Sequence, residues 1–132
     1  MPPSPDKADA PLRWLDNARA DLAMARAPLP PGATYEMLCF HAQQAAEKAI
    51  KAILLRCRVD FPFTHDLAAL LNLLPDAIPH PVAPLEIVDL DPYAVTTRYP
   101  GELEAVTAEE YREALRTAEA VVAWAESILA GD

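Results

Sequence analysis

Phe40-His41-Ala42-Gln43-Gln44-Ala45-Ala46-Glu47-Lys48-Ala49-Ile50-Lys51-Ala52 decides how this chain folds. The stretch holds no glycine or proline and is dominated by alanine, the strongest helix former. Extended from about Thr34 to Arg58, it carries Leu38, His41, Ala42, Ala45, Ala49, Ala52 and Ile53 at three- and four-residue spacing, which is the period of a helix face. Ile50, Leu54 and Cys57 widen that stripe. Apolar positions run around so much of the circumference that the pattern predicts a central helix, buried on several sides. Its small side chains let a neighbouring helix approach closely. Glu47, Lys48, Lys51 and Arg58 fall in the less apolar remainder. Glu47 and Lys51 stand in the favourable i,i+4 order, worth about 0.2–0.5 kcal/mol on a helix surface.

Proline divides the rest, because a proline inside a helix removes a hydrogen bond and clashes with the preceding turn. A first helix is expected from about Pro11, suited to a first helical position, to Ala27. Leu15, Ala18, Leu22 and Ala25 form its stripe, Trp14 borders it, and Arg13, Asp16, Arg19 and Asp21 face elsewhere. Pro28-Leu29-Pro30-Pro31-Gly32 ends it. After Phe61-Pro62-Phe63, Thr64 can cap a third helix over His65 to Leu74, with Asp66 in its first turn. Residues 75–100 hold six prolines, which exclude a long helix and predict a mostly irregular crossover with two turns at most over Pro84 to Leu90. The last helix opens on a capping box, Thr107 with Glu110 three residues on. Tyr111, Leu115, Ala118, Val122, Ala125 and Leu129 run down it to Gly131.

These elements predict an all-α fold, an up-and-down bundle of four to five helices over residues 9–131, with residues 1–8 as a disordered leader. No internal repeat points to a solenoid. At 132 residues and 52% apolar composition, one core is expected. No apolar run approaches the roughly 20 residues of a membrane span, and residues 1–11 have no signal-peptide apolar region. Cys39 and Cys57 would lie ~27 Å apart on one helix, too far to bridge. Unpaired thiols suit a reducing, cytoplasmic setting. The net charge is −9, which repels extended polyanions. Only residues 33–58 are positive in balance, at +2, so a contact with phosphate should be local and centred on the second helix.

Three segments together resemble the HEPN domain family. Phe40 to Ala52 is similar to the second-helix signature, whose core Gln-x-x-Glu-Lys-x-x-Lys falls here on Gln44, Glu47, Lys48 and Lys51. Phe63-Thr64-His65-Asp66-Leu67 resembles the family's approach to its third helix, and Tyr93 to Pro100, with Arg98-Tyr99-Pro100, resembles its Tyr…Arg-Tyr-Pro segment. The likeness spans roughly residues 8–130. It implies a bundle of four or five helices, often dimeric and often encoded beside a minimal nucleotidyltransferase. Many such pairs are toxin–antitoxin modules in which the HEPN member is a metal-independent ribonuclease. Others are thought to bind nucleotides or to help the nucleotidyltransferase hold its substrate.

HEPN ribonucleases use an arginine followed, after four to six residues, by a histidine. Histidine moves a proton near neutral pH, and arginine steadies phosphate charge through its planar fork. Arg58 and His65, with six residues between them, meet the spacing and are the catalytic candidates, although the family's motif generally lies on a later helix and no histidine follows Arg98. The structural alternative makes His65 a loop residue bonded to backbone. His41 reads as a packed histidine and His80 as an exposed one. Lys48, Lys51, Arg98 and Tyr99 are the candidates for a nucleotide or anion site, with Tyr93 and Tyr99 able to stack on a base. Alternatively, Arg98 pairs with an acid and the tyrosines only pack. Gly32, Gly101 and Gly131 cannot form a glycine-rich phosphate loop. Glu109, Glu110 and Glu113 read as a solvated face, and no cofactor or metal is expected. Three functions stay open: a partner of a minimal nucleotidyltransferase that binds a nucleotide, a ribonuclease toxin, and a stand-alone nucleotide-binding module. A homodimer fits all three, because the broad apolar second helix asks for cover.

Overall fold

The structure is a computed structural model, and it describes residues 5–81, 87, 89–94 and 105–131, with side chains from Asp9 onward. Among the described residues, the elements bounded on both sides are four α-helices and one 3-10 turn, in order α1 (Pro5–Arg26), α2 (Tyr35–Arg56), α3 (Leu67–Leu71), a 3-10 turn over Asp91–Ala94, and α4 (Ala108–Ala130). The described residues contain no strand. The fold is the all-helical bundle that the sequence predicts.

The three long helices pack on one another, and their polar contacts fix their directions. Asp21 of α1 meets His41 and Lys48 of α2, while Trp14, two turns earlier, lies by Lys51, so α1 and α2 are antiparallel. Arg26 pairs with Glu119 and Arg19 with Glu126, which makes α1 antiparallel to α4 as well. Tyr35 stacks on Tyr111 at 5.2 Å, placing the first turns of α2 and α4 side by side. The chain therefore descends α1, returns along α2, and uses α3 and the crossover to come back before α4. The Trp124 indole N–H ties that crossover to α4 by donating to the Pro79 carbonyl, 2.8 Å away.

Alanine sets the spacing of the core. Ala18 and Ala25 of α1, Ala42, Ala45, Ala46, Ala49 and Ala52 of α2, and Ala118 and Ala125 of α4 are all fully buried. Leu15, Leu22, Ile50, Ile53, Leu54, Val121 and Val122 fill the gaps between them, and Leu67, Leu70, Ile87 and Leu90 close the core from the α3 side. Burying such side chains stabilises the fold by about 1.5–3 kcal/mol each relative to exposure. The cover that α2 requires comes from within the chain, from α1, α3, the 3-10 turn and α4.

Boundaries differ from expectation at three places. Helix α1 begins at Pro5 and carries Pro11 inside it, so residues 5–8 of the expected leader have helical backbone and residues 1–4 lie outside the described residues. Pro11 gives up its hydrogen bond to the carbonyl four residues back, close to the helix start, where water can take that oxygen's lone pairs. Helix α3 begins at Leu67 rather than His65: Asp66 is its cap, accepting from Ala69 N–H, while Thr64 accepts from Asp66 N–H and shapes the loop before it. It also ends at Leu71, short of Leu74. Asp91 reaches back to α3, accepting from Leu67 N–H at 3.2 Å. Most of the Pro84–Leu90 stretch lies outside the described residues. The capping box of α4 stands as expected, with Thr107 and Glu110 each accepting from the other's backbone N–H.

Candidate functional site

Glu47 faces inward, and this overturns its reading as half of a surface ion pair. Its side chain is 4% exposed and that of Lys51 is 7% exposed. Helix α2 is packed on so many sides that its i,i+4 polar face is enclosed as well. Both carboxylate oxygens have partners. Lys51 Nζ reaches Oε2 at 3.0 Å, Gln43 Nε2 reaches Oε1 at 3.1 Å, and His65 Nδ1 lies 2.8 Å from the same Oε1. Burial pushes the Glu47 carboxyl up, but the hydrogen bonds from His65, Gln43 and Lys51, with the Lys51 charge, outweigh it and hold the group below the usual carboxylate range. Gln43, itself fully buried, also spans to the His65 carbonyl at 3.4 Å and accepts from Gln44 at 2.7 Å. Lys51 turns its remaining charge to aromatic rings, 5.4 Å from the centroid of Trp14 and 5.5 Å from that of Phe61. Cation–π contacts of this kind are worth more when desolvated.

Further along the α1–α2 seam, Asp21 holds two partners on α2. Its Oδ1 lies 3.0 Å from His41 Nδ1 and its Oδ2 accepts from Lys48 Nζ at 2.6 Å. Asp21 was expected to face away from the bundle; it lies three residues after Ala18 and four before Ala25, so the buried stripe of α1 carries it onto α2. Beside this pair, Arg13, Trp14 and Asn17 of α1 and Lys48 of α2 line an open cleft of about 240 Å³. Its wall carries two cationic side chains, an indole and an amide, with Lys48 paired to Asp21, the Asn17 amide donating to the Arg13 carbonyl at 3.0 Å and Lys51 against the indole.

The expected site residues therefore separate. Lys48 lines the cleft, whereas Lys51 is sequestered by Glu47 and the two rings. Arg98 and Tyr99 lie outside the described residues. Tyr93 sits in the 3-10 turn, packed on the core. His65 is on the loop before α3, half exposed, and bonded to Glu47. Arg58 is exposed just past α2 with a left-handed φ of 59°. There Val59 N–H donates to the Leu54 carbonyl and Arg58 N–H to that of Leu55, the paired bonds of a Schellman terminus whose left-handed position usually holds glycine. His80 is exposed, as expected. His41 is a quarter exposed and paired with Asp21 rather than simply packed.

Sequence reasoning missed Gln43, Asp21 and the Arg13-Trp14-Asn17 wall. For Asp21 and Trp14 a signal existed: they stand seven residues apart on the face that meets α2. Gln43 carried none, because a glutamine inside an alanine-rich helix reads equally as exposed. Among the described residues no group of histidine, cysteine and carboxylate side chains could hold a metal ion, and no helix is long and apolar enough to cross a membrane.

Known proteins share this architecture. The chain is similar over 90% of its length to TT1696 from Thermus thermophilus, at 34% identity and a TM-score of 0.73, covering 98% of that protein. It is similar to ST0689, an archaeal HEPN homologue, at 26% identity and a TM-score of 0.64, covering 89% of this chain and 95% of the other. Nothing matches among the curated proteins. The model of the HEPN domain matches residues 12–128, and the chain belongs to the HEPN domain family.

Proposed function

We propose that this chain is a nucleotide-binding accessory protein that works with a minimal nucleotidyltransferase, in the manner of a toxin–antitoxin module. The observation that carries the nucleotide part is the cleft between α1 and α2, where Arg13 and Lys48 stand beside Trp14 and Asn17. Two cations suit a phosphate, an indole face suits a base, and the small, open shape suits one nucleotide rather than a strand. The net charge of −9 argues the same way, because it repels a long polyanion. Asp21 holds Lys48 at the cleft wall, so the ammonium is positioned before a ligand arrives. The accessory role rests on the family resemblance. Co-expression with a neighbouring nucleotidyltransferase gene tests it: a stable complex is expected, and repeated failure to co-purify defeats it. A homodimer belongs to the same proposal. Leu12 and Met24 of α1 and Met37 of α2, each about half exposed, offer apolar surface for it. Light scattering that gives a monomer mass counts against the dimer.

The ribonuclease reading keeps one specific observation. His65 is oriented by a buried carboxylate, an arrangement that fixes a histidine tautomer for proton transfer, and Arg58 occupies a strained position on the same loop. On this reading the purified chain cleaves RNA without metal and His65→Ala does not. Intact RNA after prolonged incubation with the parent chain removes it.

A further inference from the structure

Asp21 of α1 is one carboxylate shared by two basic groups of α2. Its Oδ1 lies 3.0 Å from His41 Nδ1, and its Oδ2 accepts from Lys48 Nζ at 2.6 Å. A carboxylate only accepts, so His41 donates from Nδ1–H, and acid adds the second ring proton at Nε2. The His41 side chain is a quarter exposed, open enough to exchange that proton with water, whereas the Asp21 side chain is mostly enclosed by the seam. Farther round α1, Arg19 pairs with Asp16 and Glu126, and Arg26 pairs with Glu119, both toward α4. Along α2, Lys51 is held by Glu47, and the Phe40 ring meets His41 edge-on with the centroids 5.4 Å apart. The charges that face His41 are therefore that of Asp21 and, through it, that of Lys48. With the ring neutral the cluster has no net charge, and Asp21 cancels the ammonium that Lys48 brings to the α1–α2 cleft. With the ring protonated the cluster carries one positive charge.

We propose that His41 is a proton-operated regulator of the α1–α2 cleft: its protonation draws on Asp21 and releases the charge of Lys48 to an anion seated beside Arg13 and Trp14. This rests on the reading of the cleft as an anion site and adds that its affinity rises as pH falls through the range in which histidine gains charge. Asp21 and His41 do not line the cleft, so His41 acts through Lys48 and does not touch the ligand. The sign follows from linkage. The anion favours the protonated ring, so binding raises the titration midpoint of His41, and protonation tightens binding by the same factor. That factor is about fivefold for one added charge acting on a doubly charged anion through a largely aqueous dielectric.

The test uses sulfate, whose charge stays constant across the window, titrated into the full chain at about pH 8 and about pH 5.5, on either side of the histidine range. Ionic strength is held fixed, and the Trp14 indole N–H and the His41 ring are read by NMR. Sulfate should bind about fivefold more tightly at the lower pH and raise the His41 midpoint. His41→Gln keeps a donor for Asp21 but cannot be charged, so it should bind sulfate equally at both pH values, although His65 and His80 still titrate between them. Lys48→Met should raise the His41 midpoint without any ligand, because the carboxylate is no longer shared. Equal affinity at the two pH values in the parent, the same pH dependence in His41→Gln, or an unmoved His41 midpoint in Lys48→Met overturns the proposal. A Trp14 signal that sulfate leaves unmoved at both pH values overturns it as well. AMP separates it from the nucleotide reading: AMP that fails to bind where sulfate shows the expected pH profile removes the nucleotide and supports the switch, and AMP that binds where sulfate shows no pH dependence does the reverse.

Discussion

His65 and Glu47 are joined across 2.8 Å, from a half-exposed loop imidazole to a carboxylate buried by α2. That bond ties the α2–α3 loop to the middle of the bundle and places Lys51, Gln43 and His65 around one anion. Among the described residues no buried side-chain nitrogen or oxygen lacks a partner.

The first prediction concerns acid. Because Glu47 is held below the usual carboxylate range, the native state favours its ionised form. Its contribution is fully present at neutral pH and is lost as pH falls from about 4 through the lower folded value. Thermal melts from pH 7 to pH 3 should fall steeply for the parent and less steeply for Glu47→Gln. Identical slopes would remove Glu47 as a source of acid sensitivity. At pH 7, Glu47→Ala should cost about 3–5 kcal/mol, because Lys51 is left charged and enclosed.

A second prediction follows from the left-handed Arg58. Glycine takes that conformation without the steric cost of a Cβ. Arg58→Gly should raise stability by about 0.5–1 kcal/mol in a urea titration, the relief of strain being partly offset by a more flexible unfolded chain. A destabilised variant would mean that the arginine side chain makes a compensating contact. If Arg58 serves the ribonuclease reading instead, the same stabilised variant loses activity.

Tyr111 gives a third. Its hydroxyl donates to the Ala25 carbonyl, one of the last four carbonyls of α1 that have no partner within the helix. Tyr111→Phe should cost about 1 kcal/mol while leaving the stack on Tyr35 intact. Calorimetric melts read the loss; an unchanged melting temperature would show that water replaces the hydroxyl at no cost.

Most of the helical layout was legible in the sequence because alanine and leucine spacing reports burial directly. Leu15, Ala18, Leu22 and Ala25, and Ala118, Val122 and Ala125, all proved buried. The start of α3 was misplaced because Thr64 and Asp66 are both good caps, and only the hydrogen bond from Ala69 N–H selects Asp66. The start of α1 was misplaced because Pro11 was read as a first position, whereas a proline early in a helix loses only one bond. The polar interior was the least legible part. An i,i+4 Glu47–Lys51 pair has the same sequence whether it faces water or core, and only the helices packed around α2 decide which. Lys48 was identified, but its cleft partners Arg13, Trp14 and Asn17 come from α1, far back in the sequence, and of the three only Trp14, on the face that meets α2, carried a signal.

A nucleotide in the α1–α2 cleft is the central claim, and nitrogen-resolved NMR of the two indole N–H groups tests it most directly. Trp14 lines the cleft, whereas the Trp124 indole is bound to the Pro79 carbonyl at α4. Titration with AMP should shift the Trp14 signal saturably and leave Trp124 unmoved. Lys48→Ala should weaken the effect about tenfold, the loss expected for a charged hydrogen bond, while also freeing the Asp21 carboxylate to repel the phosphate. A Trp14 signal that stays fixed up to millimolar AMP, or that moves equally in Lys48→Ala, would contradict the claim.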